Sequence, residues 1–173
     1  MHASRLLIRL AAGTLILAAV PAGAQAPGCV LEDAVAGGRQ IIRCGSDVRI
    51  STEAGAEYQL LDRDGNGSVD RVELGSRALL LDVSGETARS GFDVVAPHAI
   101  AAVRGTRWAV DAEDGRTSVL VIEGSVAVER RSDAASVVLQ PGEGVDIDGG
   151  SAPLVVRRWP AERVEALLER LGD

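Results

Sequence analysis

The chain has 173 residues, with 18 basic against 25 acidic side chains and a formal net charge of −7. Such a chain gains little from counterion release at phosphates, which argues against nucleic acid and against anionic membrane surfaces as partners. Its few aromatics, Tyr58, Phe92, Trp108 and Trp159, make no platform for stacked bases.

At the N-terminus, Arg5 and Arg9 precede an uncharged, mostly apolar run from Leu10 to Val20. Pro21 breaks the run, and the small residues Ala22-Gly23-Ala24 follow. This is the order of a secretory signal over residues 1–24, with cleavage expected near Ala24/Gln25. The run is well short of the roughly 20 residues that a membrane-crossing helix needs. An uncleaved anchor is the alternative. Cleavage would leave about 149 residues, the size of one domain, and move the formal charge from −7 to −9. The expected location is periplasmic or secreted, with no stable membrane span.

Cys29 and Cys44 are the only cysteines. In an exported chain an even pair reads as a disulfide. Lipidation of Cys29 is the alternative, although Ala26-Pro27-Gly28 is a poor match to a lipoprotein signal. A tetrahedral metal site would need more donors than these cysteines and His98 supply, and His98 reads as a turn residue.

Residues 28–150 read as short strands punctuated by glycine. Cys29–Leu31 and Gln40–Cys44 flank the turn signal Ala36-Gly37-Gly38 and are expected to pair as a hairpin. Val48 and Ile50 alternate with polar neighbours. Ala54 to Leu61 is compatible with a short helix leading into the next segment. That segment, Asp62-Arg63-Asp64-Gly65-Asn66-Gly67-Ser68-Val69-Asp70-Arg71-Val72-Glu73, follows the 12-residue spacing of an EF-hand calcium loop. Asp62, Asp64 and Asn66 would give oxygens at positions one, three and five. Ser68 would give its carbonyl at seven, Asp70 a water-mediated contact at nine, and Glu73 a bidentate carboxylate at twelve. The competing reading is a polar turn, because Asp-Gly and Asn-Gly also favour hairpins.

Further along, Phe92 and Val94 alternate, as do Trp108 and Val110. Val119–Ile122 with Val126 and Val128 about Gly124, and Val137–Leu139 with Val145 and Ile147 about Pro141-Gly142, each look like a hairpin. Period-two alternation with frequent turn signals predicts an all-β fold, an antiparallel jelly-roll-like sandwich or roll. Residues 159–172 differ: Val164, Leu167, Leu168 and Leu171 make a helical stripe, with Pro160 at its start and Gly172 past its end. Glu162, Arg163, Glu165, Glu169 and Arg170 are expected to face outward. The simpler reading is a helix that covers a sheet, seated by Trp159; the alternative is a docking helix for a partner.

No nucleophile elbow, zinc-protease helix or phosphate-binding glycine loop is present in the sequence. No catalytic residue or required cofactor is therefore expected; calcium is the one candidate ion.

Phe92-Asp93-Val94-Val95-Ala96-Pro97-His98-Ala99, Ala101-Ala102-Val103-Arg104-Gly105-Thr106, Trp108-Ala109-Val110, Val119–Val128 and Val138–Glu143 together resemble the FecR domain, most closely over residues 69–147. The resemblance implies a jelly-roll-like periplasmic module that makes protein contacts in cell-envelope signalling or organisation. Family members with a cytoplasmic anti-sigma segment and a membrane helix relay transporter occupancy; here a free exported module is expected instead. Arg104, Gly105 and Thr106 are read as a fold-stabilising turn, Arg104 pairing with a carboxylate or with backbone carbonyls. A ligand-binding role for Arg104 is the alternative.

Overall fold

The computed structural model describes residues 28–35, 38–113 and 115–173. The signal-sequence reading of residues 1–24 falls outside them. In chain order the elements are β1 (Cys29–Val35), β2 (Arg39–Cys44), β3 (Val48–Thr52), β4 (Glu57–Leu61), β5 (Arg71–Val83), α1 (Gly85–Ser90), β6 (Phe92–Val95), β7 (Ala99–Val103) and β8 (Thr106–Glu113). They continue as β9 (Arg116–Glu123), β10 (Val126–Arg130), β11 (Ser136–Leu139), β12 (Glu143–Asp148), β13 (Arg157–Arg158) and α2 (Ala161–Leu171). The expected all-β fold with a terminal helix is present. Ala54 to Leu61, however, holds no helix: Glu57–Leu61 is strand, paired with β5.

The strands form two layers that share β5. Its first half pairs antiparallel with β4 and parallel with β6. Its second half pairs antiparallel with β3 and β8. The β5/β6 pair is the parallel exception among the otherwise antiparallel pairs of the described strands. Arg77 separates the two halves at φ 68°, a backbone region that side chains rarely adopt. The kink moves the alternation by one residue. Val72 and Leu74 face the core before it; Leu79, Leu81 and Val83 face the core after it. One layer, sheet A, runs β1-β2-β3-β5-β8-β9-β12-β13; the other, sheet B, runs β4-β5-β6-β7-β10-β11.

Neither expected hairpin about Gly124 or Pro141-Gly142 forms. β9 lies in sheet A and β10 in sheet B; likewise β12 pairs with β9 whereas β11 pairs with β10. The chain there bends over a corner from one sheet to the other. β7–β8 and β9–β10 are in fact the two arms of one long ribbon, paired Val103↔Val126 in sheet B and Arg107↔Glu123 in sheet A. A glycine between two alternating runs gives the same local signal for a reversal as for a bend, so periodicity alone does not separate them.

Between the layers Trp108 and Phe92 are fully buried and meet edge to face, with ring centroids 6.1 Å apart. A second, smaller core lies on the outside of sheet A. There Leu167 and Leu171 of α2, with Trp159, cover Ala78, Leu80, Ala109 and Leu120. This explains why β8 and β9 read as continuous apolar runs at their centres: both faces are dry. Gly144 leaves room for the indole of Trp159, into which any Cβ would run. The helix ends at Gly172, in the left-handed region at φ 77°, while the Asp173 N–H donates to the Leu168 carbonyl. The helix is a cover for the sheet, seated by Trp159 as expected.

Candidate functional site

The EF-hand-like segment folds as a self-bonded turn between β4 and β5. Asp62 accepts N–H bonds from Gly65, Asn66 and Gly67 at 2.8, 3.2 and 2.8 Å. Asp64 accepts from the Asn66 backbone and side-chain amides, and the Asn66 oxygen accepts from the Ser68 N–H. Asp70 accepts from the backbone N–H and the guanidinium of Arg63 at 3.2 and 3.1 Å. Glu73 stands on β5 as a strand residue, opposite Gln59 and Val95. The structure therefore brings Asp62, Asp64 and Asn66 together but does not gather Asp70 and Glu73 with them into one calcium shell. The N–H of Gly67, foremost, holds the Asp62 carboxyl below its ordinary pKa; burial opposes it, and the Gly65 and Asn66 N–H groups reinforce it.

Carboxylate oxygens do converge elsewhere. Those of Glu53, Asp111 and Glu113 lie within 4.8 Å of one another. The guanidinium of Arg170 sits among them, 2.6 Å from Glu53, 2.8 Å from Asp111 and 3.1 Å from Glu113. Arg77 adds a second cation, 3.3 Å from Glu113. The place that a metal ion would take is thus filled by an arginine, and the Arg170 pKa is raised, first by its bond to Glu53. Arg163 lies 3.5 Å over the Trp159 ring and donates to Asp146 at 2.9 Å. Both arginines, expected to face outward, hold the helix to the sheet. The sequence signal for this was the sign pattern of the helix flank, but its partners lie far away in the chain.

The Arg104-Gly105-Thr106 segment is the corner of the β7–β8 arm. Gly105 has φ 70° and faces Gly124, φ 82°, on the other arm. A Cβ at Gly124 would stand 2.6 Å from the Gly105 carbonyl oxygen. Thr106, buried, donates its hydroxyl to the Ser125 carbonyl at 3.1 Å. Gly105 and Thr106 thus lie at the bend that carries the chain from sheet B to sheet A. Arg104 does not contribute: it is exposed and forms no ion pair or side-chain hydrogen bond among the described residues. The buried arginine is another one, Arg130, 3% exposed, bonded to Asp133 at 2.8 Å and to the Ala152 carbonyl. His98 is a half-buried turn residue whose N–H donates to Thr117.

Cys29 and Cys44 are joined as a disulfide between directly opposed positions of β1 and β2. On the far layer, the outward side of sheet B carries the cross-strand row Asp93–Ala102–Ala127–Val138. No described element covers this row, in contrast to the side of sheet A under α2. Arg71 holds Asp93 through two bonds of 2.6 and 2.7 Å. A groove of about 490 Å³ follows the row to Arg104 and Ser125.

The family model described as FecR protein matches residues 36–127, more than half of the 173 residues. The chain belongs to the FecR family. The FecR match runs from ahead of β2 into β10, starting earlier and ending earlier than the motif resemblance over 69–147. Two crystal structures of a candidate anti-sigma factor from Parabacteroides distasonis ATCC 8503 share the fold. One has TM-score 0.60 and 22% identity over 76% of this chain and 61% of that one. The other has TM-score 0.54 and 21% identity over 70% of this chain and 56% of that one. This FecR chain therefore spans about six-tenths of the length of those structures. No curated protein matches it.

Proposed function

We propose that the chain is an exported, non-catalytic FecR-type module that contacts a protein partner in cell-envelope signalling. Its FecR family membership over 36–127 carries this reading. The shared fold with a candidate anti-sigma factor points the same way. Three physical features support it. Disulfides such as Cys29–Cys44 persist in oxidising compartments outside the cytosol. Residues 1–24 have the charge and apolar order of a secretory signal. The described acidic cluster about Arg170 and the Asp62 loop are closed within the fold, and the exposed sheet surfaces are open for recognition.

The test combines location and response. Cell fractionation with mass analysis of the intact protein should find it outside the cytosol, beginning near Gln25 and oxidised at Cys29 and Cys44. Deleting it should change expression of a discrete set of envelope genes, with restoration by the exported form alone. A cytosolic protein retaining Met1, or an unchanged transcript profile under several envelope stresses, overturns the reading.

A further inference from the structure

We infer that the groove on sheet B binds an acidic segment of the partner, with an apolar side chain on Ala102, Ala127 and Val138 and the adjoining carboxylate on Arg104. The inference rests on the protein-contact reading above and assigns the partner's chemistry. Ala102 and Ala127 are exposed and adjacent across the β7/β10 pair, so the floor between Asp93 and Val138 is only methyl groups deep. Val138 is 60% exposed, one of the few large apolar side chains left in water. Small residues between larger walls make a seat for a side chain supplied from outside.

The charge at the groove decides what kind of segment fits. Asp93 is already neutralised by the paired bonds from Arg71, and Arg63 lies a further 3.4 Å from it. Arg63 is itself taken up by Asp70 and Asp93. Among the described residues, Arg104 at the groove's end has no ion-pair partner, in a chain with an excess of acid. The corner that carries it closes through Gly105, Thr106 and Gly124 and uses none of its five N–H donors. A guanidinium not employed by the fold, next to an uncovered apolar floor, is complementary to a carboxylate beside an aliphatic side chain. A basic segment would meet Arg104 and be repelled.

The experiment titrates acetyl-Leu-Asp-amide and acetyl-Leu-Lys-amide into the oxidised protein, followed by the backbone amide signals of Ala102, Ala127 and Val138. The aspartyl peptide should give saturable shifts confined to this face, with Kd on the order of 1 mM. The lysyl peptide should give none. Arg104→Gln should weaken binding roughly tenfold, and Ala127→Asp should abolish it, both with unchanged melting. Equal response to the two peptides, retained affinity in Arg104→Gln, or shifts on another face overturns the inference. A photo-cross-linking side chain is placed in cells at position 127 and, as a reference, at 165 on α2. A defined adduct from 165 with none from 127 sinks the groove but leaves the proposed function standing. Binding of the aspartyl peptide with no adduct at either position supports the groove and counts against the proposed function.

Discussion

Arg170 on α2 grips Glu53, just past the end of β3, through two parallel bonds of 3.0 and 2.6 Å, joining residues 117 positions apart. The same guanidinium reaches Asp111 and Glu113 on β8. One residue thus ties the helix to two strands of sheet A. The Glu53 side chain is only 12% exposed, so losing Arg170 would leave carboxylates crowded together with poor access to water. Arg170→Ala should destabilise the fold by about 1.5–3 kcal/mol, the range for hydrogen bonds to charged groups. Arg170→Lys should recover little, because an ammonium cannot reproduce the paired geometry. Urea melts of both variants with Glu53→Ala, arranged as a double-mutant cycle, check this. A coupling energy near zero would mean that the Arg170–Glu53 pair adds nothing to the hold that the other contacts of the helix already provide.

At the corner between the sheets, Gly124 and Arg104 on the two arms play opposite parts. Gly124→Val places a side chain against the Gly105 carbonyl at a φ of 82°. A loss of about 1–3 kcal/mol is expected from that backbone conformation alone, with steric overlap added. Arg104→Ala removes no bond and should melt with the parent. Thermal denaturation of the two variants side by side is the measurement; a large loss in Arg104→Ala would show that the guanidinium serves the fold after all.

These residues also show how far the sequence could be read. Alternation around Val48, Phe92 and Trp108 was enough for an all-β fold, because period-two burial is a local property. Likewise the Val164–Leu171 stripe was enough for a helix lying on a sheet. The corner at Gly124 was not legible as a corner, since a bend and a hairpin ask the same of glycine. Glu57–Leu61 was open to a helical reading because its burial alternates only weakly on an edge strand. Nor was the short helix α1 foreseen: it has one buried residue, Ala88, and its first N–H groups are capped by Asp47, far upstream. Arg170 was the hardest case. Its role depends on Glu53 and Asp111, which only the folded sheet brings to it.

Acid should unfold the protein through its hydrogen-bonded aspartates. Four carboxyls sit below their ordinary 3.8: Asp47, foremost through the Ser46 hydroxyl; Asp62, through the Gly67 N–H; Asp133, through the Ala135 N–H; and Asp146. At Asp146 burial pushes the pKa up, but Arg163 and Ser118 outweigh it. A folded pKa below the unfolded one gives stability that is present above the unfolded value. That stability is lost as the pH falls through the folded value. Melting temperature should therefore hold above about pH 5 and fall progressively below about pH 4. The Asp47→Asn, Asp62→Asn double variant should start from a lower plateau and decline less steeply. An acid limb identical to the parent's would exclude these two groups as its cause.

The disulfide should matter most to the edge strand. β1 pairs with β2 alone, and Val30 and Leu31 are 59% and 48% exposed, so burial does little to hold it. Cys29, half-buried against the core, anchors the strand through Cys44, across a sequence separation of 15. Closing such a loop stabilises by about 3 kcal/mol on the chain-entropy account. Reduction, or Cys29→Ser with Cys44→Ser, should lower the melting temperature. Amide exchange should accelerate first in β1, with β3 and β8 protected until global unfolding. Hydrogen-exchange mass spectrometry with and without reductant separates this from a general weakening. Uniform acceleration across sheet A would mean that the bridge supports the whole layer, and an unchanged melting point would mean that it supports neither.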